Sequence, residues 1–327
     1  MINYRRHLIG KPFKPFILKV NSGADSKITI PTSGGGYNYD LRVQGGQSWY
    51  GLIGNHTINF PSANTDYIIE ISGEFPRIYI NNNAEKDKFL EVMQCGDIEW
   101  KSLERSFYGA SNLTWSATDI PNIQPNCSFY LAFLGTKVNP ATIKQWAWVN
   151  FSNINGFMQG NTEFNQDISN VDLTNINNAT NFIVGASSFK NAGQRLILDW
   201  HDKSLTLGAY PFNNTEVLDI EFYGAKNLTW ANGWQSGGTA LNTQVFVLHD
   251  LDRDIDLSSQ TANNCRFPYL TGGGVQEFID SVDKSYFGTL KVFTSVYTDF
   301  ETHVQGLGYA DIADYLLQTN NNWTVIS

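Results

Sequence analysis

A short glycine-centred phrase returns through the middle of this chain, and no other feature restricts its fold so much. It reads Ser106-Phe107-Tyr108-Gly109-Ala110-Ser111-Asn112-Leu113, then Ala132-Phe133-Leu134-Gly135-Thr136, then Gly156-Phe157-Met158-Gln159-Gly160-Asn161-Thr162-Glu163-Phe164. Two further copies are Phe182-Ile183-Val184-Gly185-Ala186-Ser187-Ser188-Phe189 and Glu221-Phe222-Tyr223-Gly224-Ala225-Lys226-Asn227-Leu228. Glycines 109, 135, 160, 185 and 224 give intervals of 26, 25, 25 and 39. Three near-equal intervals predict a stacked repeat, and the last an insertion. One unit is too small to bury its own apolar face, so its neighbours must cover it, as in a solenoid.

Each unit has a local logic. An apolar residue stands two places before every glycine: Phe107, Phe133, Met158, Ile183 and Phe222. Leu103 to Tyr108 reads as a helical turn that Gly109 closes in the left-handed conformation. Leu113, Phe164, Phe189 and Leu228, four residues after their glycines, are expected to open short strands.

Upstream, Phe16 to Val20, Lys27 to Ile30, Tyr37 to Val43 and Asp66 to Ser72 alternate as strands do. Glycine- and proline-rich clusters at 31–36 and 44–47 separate them. A small antiparallel sandwich is expected there. Asp87 to Met93 has a helical look. At the other end, Val275–Val282 and Ala310–Leu317 read as helices, and Leu290–Thr294 and Trp323–Ile326 as strands. Phe246-Val247-Leu248 suits one more repeat. The expected class is therefore α+β, with residues 1–13 an arm, 14–84 the sandwich, 85–260 the solenoid and 261–327 an atypical α/β cap over its open end.

Charge is low and uneven. Charged residues make up 16% of the chain and the net charge is −9, which argues against general affinity for nucleic acid. Arg5, Arg6, Lys11, Lys14 and Lys19 all precede the first acid; taking those five from −9 leaves −14 on the remainder. With Tyr4, Leu8 and Phe13 interleaved, the first residues read as a docking arm. Its candidate contacts are Tyr4, Arg5, Arg6, Leu8, Lys11, Phe13 and Lys14.

The three cysteines, Cys95, Cys127 and Cys265, are far apart and read as buried thiols. No run of eighteen apolar residues spans a membrane, and no apolar segment of a secretory signal follows the basic start. The abundant asparagines suit tight turns and side-chain ladders.

Several groups could carry chemistry. Asp250, Asp252 and Asp254 alternate and could offer oxygens to Ca²⁺, yet Ile255 stands where an EF-hand loop needs glycine and Thr261 where it needs glutamate. Asp199-Trp200-His201-Asp202 offers a carboxylate–imidazole pair beside an aromatic ring, or simply a loop turn. Most tryptophans suit a core, whereas Trp200 and Trp234 lie in loop-like sequence and are the candidate glycan contacts. A polysaccharide-active enzyme would require two or more acidic or basic side chains to converge in a groove, such as Asp199, Asp202 and Asp250. The histidines lack zinc spacing, no nucleotide or cofactor motif occurs, and Gly34–Gly36 and Gly272–Gly274 read as turns.

The phrases at 107–113, 163–169 and 184–189 resemble the BspA-like leucine-rich-repeat proteins, also described as Mycoplasma-type surface lipoprotein repeats. Their unit carries a "MF-x-GASSFNQDIS-x-WDVS" phrase. The resemblance covers about 85–260 and departs at Val171-Asp172-Leu173 and at the 39-residue interval. Residues 37–73 are similar to the PKD-like sandwich that precedes such repeats, without its WGDG turn. The resemblance implies bacterial-surface adhesins or phage virion proteins with no shared chemistry. The expectation is a non-enzymatic, cofactor-free virion display protein, associated with capsid or tail. Its partners would be other virion proteins and a host glycan or protein, with self-association open. The alternatives are a cell-surface adhesin or a solenoid enzyme.

Overall fold

The computed structural model describes residues 13–205, 212, 214–224, 243–249 and 270–327, together with the backbone of 255–256. Its centre is a β-solenoid of about five rungs within a mixed α+β chain that has few helices. The buried apolar side chains, from Phe16 to Val325, form one continuous core.

The amino-terminal strands alternate as their sequence does. They are β1 (Phe16–Asn21), β2 (Lys27–Ile30), β3 (Asn38–Val43), β4 (Ser48–Leu52), β5 (His56–Asn59) and β6 (Asp66–Glu74). Along β3 every second residue is buried, so Tyr39, Leu41 and Val43 face the core while Asp40 and Arg42 face outward. β7 (Phe89–Gln94) and β9 (Thr114–Trp115) join the same sheet, whose order is β4-β3-β6-β1-β7-β9. β2 and β5 form a separate antiparallel pair. Strands on both sides of residue 84 thus share one hydrogen-bonded surface. The helix expected at Asp87 to Met93 is β7 instead, because pairing with β1 buries Phe89 and Val92.

The solenoid rungs follow. Short parallel pairs link β8 (Glu99–Trp100) to β10 (Asn122–Ile123) and β11 (Cys127–Ser128) to β12 (Phe151–Asn153). Between them the backbone N–H groups reach one rung ahead. Phe107 donates to Ala132 O, Phe133 to Phe157 O and Met158 to Phe182 O, at 2.9, 3.0 and 3.1 Å. Gly109, Gly135 and Gly160 donate to Leu134, Gln159 and Val184 in the same way. A Cβ built on Gly185 would meet Gly160 Cα at 3.5 Å, and one on Gly135 would meet Gly109 Cα at 4.0 Å, so these glycines form a column. Phe107, Phe133, Met158 and Ile183 are buried beneath it, and the rings of Phe107 and Phe133 stack at 5.7 Å.

Leu103 to Tyr108 is not helical. Arg105 has φ of +51°, and its N–H, like that of Leu103, goes to the next rung instead of back along the chain. Leu131, Gly156 and Asn181 repeat this left-handed conformation, each four residues before its glycine. Among the described residues a strand opens only after Leu113; Phe164 and Phe189 instead stack on each other at 5.5 Å with parallel rings, and Leu228 lies outside the described residues.

Gly224 does not belong to the glycine column. It lies at the end of β14 (Asp219–Tyr223), which pairs in parallel with β13 (Leu196–Asp199) and β15 (Val245–Leu248). Leu196 lies beside Ile220, and Ile220 beside Phe246, so the register continues at 24 and 26 residues. The long interval is therefore ordinary rungs with the glycine phrase on another side of the coil. β16 (Ile255–Asp256), β17 (Gly288–Lys291) and β18 (Trp323–Ile326) form a further, three-stranded parallel sheet.

Among the described residues three helices lie between these last strands: α1 (Gly272–Ser281), α2 (Thr294–Gly306) and α3 (Ile312–Thr319). The Thr271 hydroxyl caps α1 and the Asp311 carboxylate caps α3, each accepting from a backbone N–H. Gly272 and Gly274, expected in a turn, begin α1. A Cβ on Gly274 would come within 2.3 Å of Gln244 O, so only glycine lets the helix approach β15. α2 has no counterpart in the sequence reading. It buries only Val296, Phe300 and Val304 on a threonine-rich surface, too thin a stripe to notice.

Candidate functional site

β13, β14 and β15 turn Leu196, Leu198, Ile220, Phe222, Phe246 and Leu248 into the core, so the alternate residues face outward under α1. On that face Arg195, Glu221, Tyr223 and His249 converge with Glu277 of α1. Glu221 Oε1 accepts from His249 Nε2 at 2.7 Å and from the Tyr223 hydroxyl at 2.8 Å. Because the acceptor is a carboxylate, His249 Nε2 carries its proton. Glu221 Oε2 lies 3.3 Å from Arg195, whose guanidinium also forks onto Glu277 at 2.8 and 3.3 Å. Tyr223 and His249 stack in parallel with ring centres 3.9 Å apart.

The electrostatics follow from this geometry. Burial alone would push the Glu221 carboxyl up, but hydrogen bonds from His249, Tyr223 and Arg195 hold it below its usual value. The hydrogen bond to Glu221 raises the Tyr223 phenol. The Glu277 carboxylate, with Glu221, holds Arg195 more firmly protonated. Glu221 thus has three donors and fastens three rungs together, while Arg195 carries the link to α1 through Glu277. The Tyr223 ring, 41% accessible, and the Glu277 carboxylate of α1 are the exposed parts of the group.

A second cluster lies on the adjoining bend. The Asp199 carboxylate accepts from the His201 N–H at 2.8 Å and sits 3.4 Å from His201 Nδ1, so the expected carboxylate–imidazole pair exists. His201 Nε2 reaches the Thr174 hydroxyl at 3.3 Å. The Lys203 ammonium donates to the carbonyls of Leu173, Thr174 and Ile176, one rung back. Burial lowers the Lys203 pKa. Gly224 packs onto this bend, its notional Cβ only 2.5 Å from His201 N.

Trp200 requires a correction. It is 1% exposed, wedged against Phe222 with ring centres 5.8 Å apart, and so presents no platform to a glycan. Its position at the end of an inward-facing strand, hidden while 186–223 reads as an insertion, explains the difference. Trp146 and Trp148 fill the core as expected. Trp234, Asp250, Asp252, Asp254 and Cys265 lie outside the described residues. Among the described residues no group of three His, Cys, Asp or Glu side chains could hold a metal. Cys95 and Cys127 are buried and unpaired with each other; burial pushes the Cys127 thiol up to about 12.

The arm contacts Tyr4, Arg5, Arg6, Leu8 and Lys11 also lie outside the described residues. Phe13 is 47% exposed, and the Lys14 backbone exchanges two hydrogen bonds with Asp97, at 2.8 Å to its carboxylate and 2.9 Å from its N–H. Arg195, Glu221, Tyr223, His249 and Glu277 went unnoticed in the sequence. Aligning strands at the rung period would have found the first four, since residues 195, 221 and 249 recur at nearly that spacing.

The fold and these inter-rung fasteners define a β-solenoid repeat protein. Residues 101–242 match a family model described as "Mycoplasma protein of unknown function, DUF285". That match and the solenoid fit a BspA-like repeat family. No curated protein and no solved structure matches the chain. Among the described residues no helix is long and apolar enough to cross a membrane.

Proposed function

We propose that this chain is a non-enzymatic display protein of a phage particle. Its amino-terminal arm and sandwich-like strands attach to the particle, and its solenoid presents a side surface to a host protein or glycan. The observation that carries the reading is how the polar side chains of the solenoid are used. Arg195, Glu221, His249 and Lys203 all fasten one rung to another, which makes a stiff support. In this reading the helices and parallel strands after residue 270 cover the last open edge of the stack.

Electrostatics would steer the basic arm to an acidic particle surface, and its apolar side chains would hold it there. Removing residues 1–13 should leave a folded chain that no longer joins the particle in a reconstitution assay. Unchanged incorporation would count against the reading. The family match favours a second one, an adhesin on a bacterial surface. Binding of the purified chain to intact cells, abolished by substitutions around Tyr223 and indifferent to the arm, would support that alternative.

A further inference from the structure

Two clefts flank the point where the arm leaves the fold. One, of about 340 Å³, is lined by Phe13, Phe75, Glu74, Asp97, Glu99 and Lys101. The other, of about 270 Å³, runs from Phe13 and Pro15 across the outer face of the sheet over Glu70, Asp40, Arg42 and Tyr50. Phe13 lines both. Their walls hold five carboxylates and two cations, whereas residues 1–12 hold Arg5, Arg6 and Lys11 and no acid. Beyond the second cleft lies β4, which has no outer partner among the described residues; Tyr50 on it and Ile53 just past its end are exposed by 77% and 80%.

We propose that Tyr4–Lys11 seats on this face of its own chain, its cations against the cleft carboxylates and its apolar side chains beside Tyr50. Reach allows it. From β1 to β4 is three strand spacings, about 14 Å, and eight extended residues span roughly 26 Å. Proximity favours it, because the two hydrogen bonds between Lys14 and Asp97 fix the root of the arm at the cleft mouth. A tethered segment meets its own surface at a far higher effective concentration than another molecule does. The proposal deepens the docking reading above: an acidic particle surface must compete with this face for the arm, so the seat regulates attachment.

The test uses the full chain alone, which separates it from any failure of particle docking. Hydrogen exchange is followed at β3 and β4, with β17 as an internal reference. The triple variant R5E/R6E/K11E is expected to speed exchange in β3 and β4 about tenfold and leave β17 unchanged. Raising salt to about 0.5 M should do the same to the unaltered chain, because it screens the contact without any substitution. Glu70→Lys with Glu99→Lys should match the arm variant. Exchange that ignores all three changes would overturn the proposal. So would protection that grows with protein concentration alongside a dimer in sedimentation, which would assign the seat to the arm of a second copy.

Discussion

At Gly160 and Gly224 the backbone is left-handed, yet the two glycines answer different needs. A Cβ on Gly160 finds its nearest neighbour at 3.9 Å, whereas one on Gly224 would lie 2.5 Å from His201 N and 2.6 Å from Asp202 N. Gly160→Ala should therefore cost only the left-handed penalty, about 1 kcal/mol. Gly224→Ala must also push two rungs apart, and about 3 kcal/mol or more is expected in urea unfolding. Asn161 makes a third case. Its buried carboxamide accepts from the N–H groups of Glu163 and Phe164 and donates to Val138 O and Thr136. Asn161→Ala strands several of those groups, so a loss of about 3 kcal/mol is expected by the same measurement. The glycines were legible in the sequence because one residue type marks the position. The equivalent left-handed place four residues earlier was not, since Arg105, Leu131, Gly156 and Asn181 share a conformation and no chemistry.

Among the elements, the outer face of β13–β15 carries the acid dependence. Folding holds the Glu221 carboxyl below its ordinary value of 4.5, so folding favours its charged form. That contribution is fully present above the ordinary value and is lost as pH falls through the depressed one. Glu221→Gln should lower stability by about 2 kcal/mol at neutral pH. It should also flatten the decline of the urea midpoint below about pH 4.5. An acid limb identical to that of the unaltered chain would remove Glu221 from the account. Strands with strict alternation, such as Lys27–Ile30 and Trp323–Ile326, were readable to the residue. β7 was not, because only pairing with β1 separates it from a helix. Nor was the Arg195, Glu221 and His249 row, which is contiguous only after the rungs are stacked.

Over the whole molecule the repeat was the legible part. Its register was counted correctly through Gly185 and lost after it, because a look-alike phrase at Gly224 stands on a different side of the coil. A similar phrase, Leu207-Gly208-Ala209-Tyr210-Pro211-Phe212, follows Gly185 at 23 residues in the sequence. Phe212 is fully buried. A stack of this kind depends on rung length more than on any one contact, since each unit meets only its neighbours. The central claim is that successive rungs pair at a period near 25 residues, and excision tests it most directly. Removing residues 136–160, one whole rung, joins Gly135 to Asn161 and restores the register. Removing 136–147 leaves half a rung and brings inward-facing residues to the surface. Cooperative urea unfolding, read by circular dichroism, should persist in the first deletion and vanish in the second. Equal damage from both deletions, or a folded half-rung variant, would contradict the stacked register.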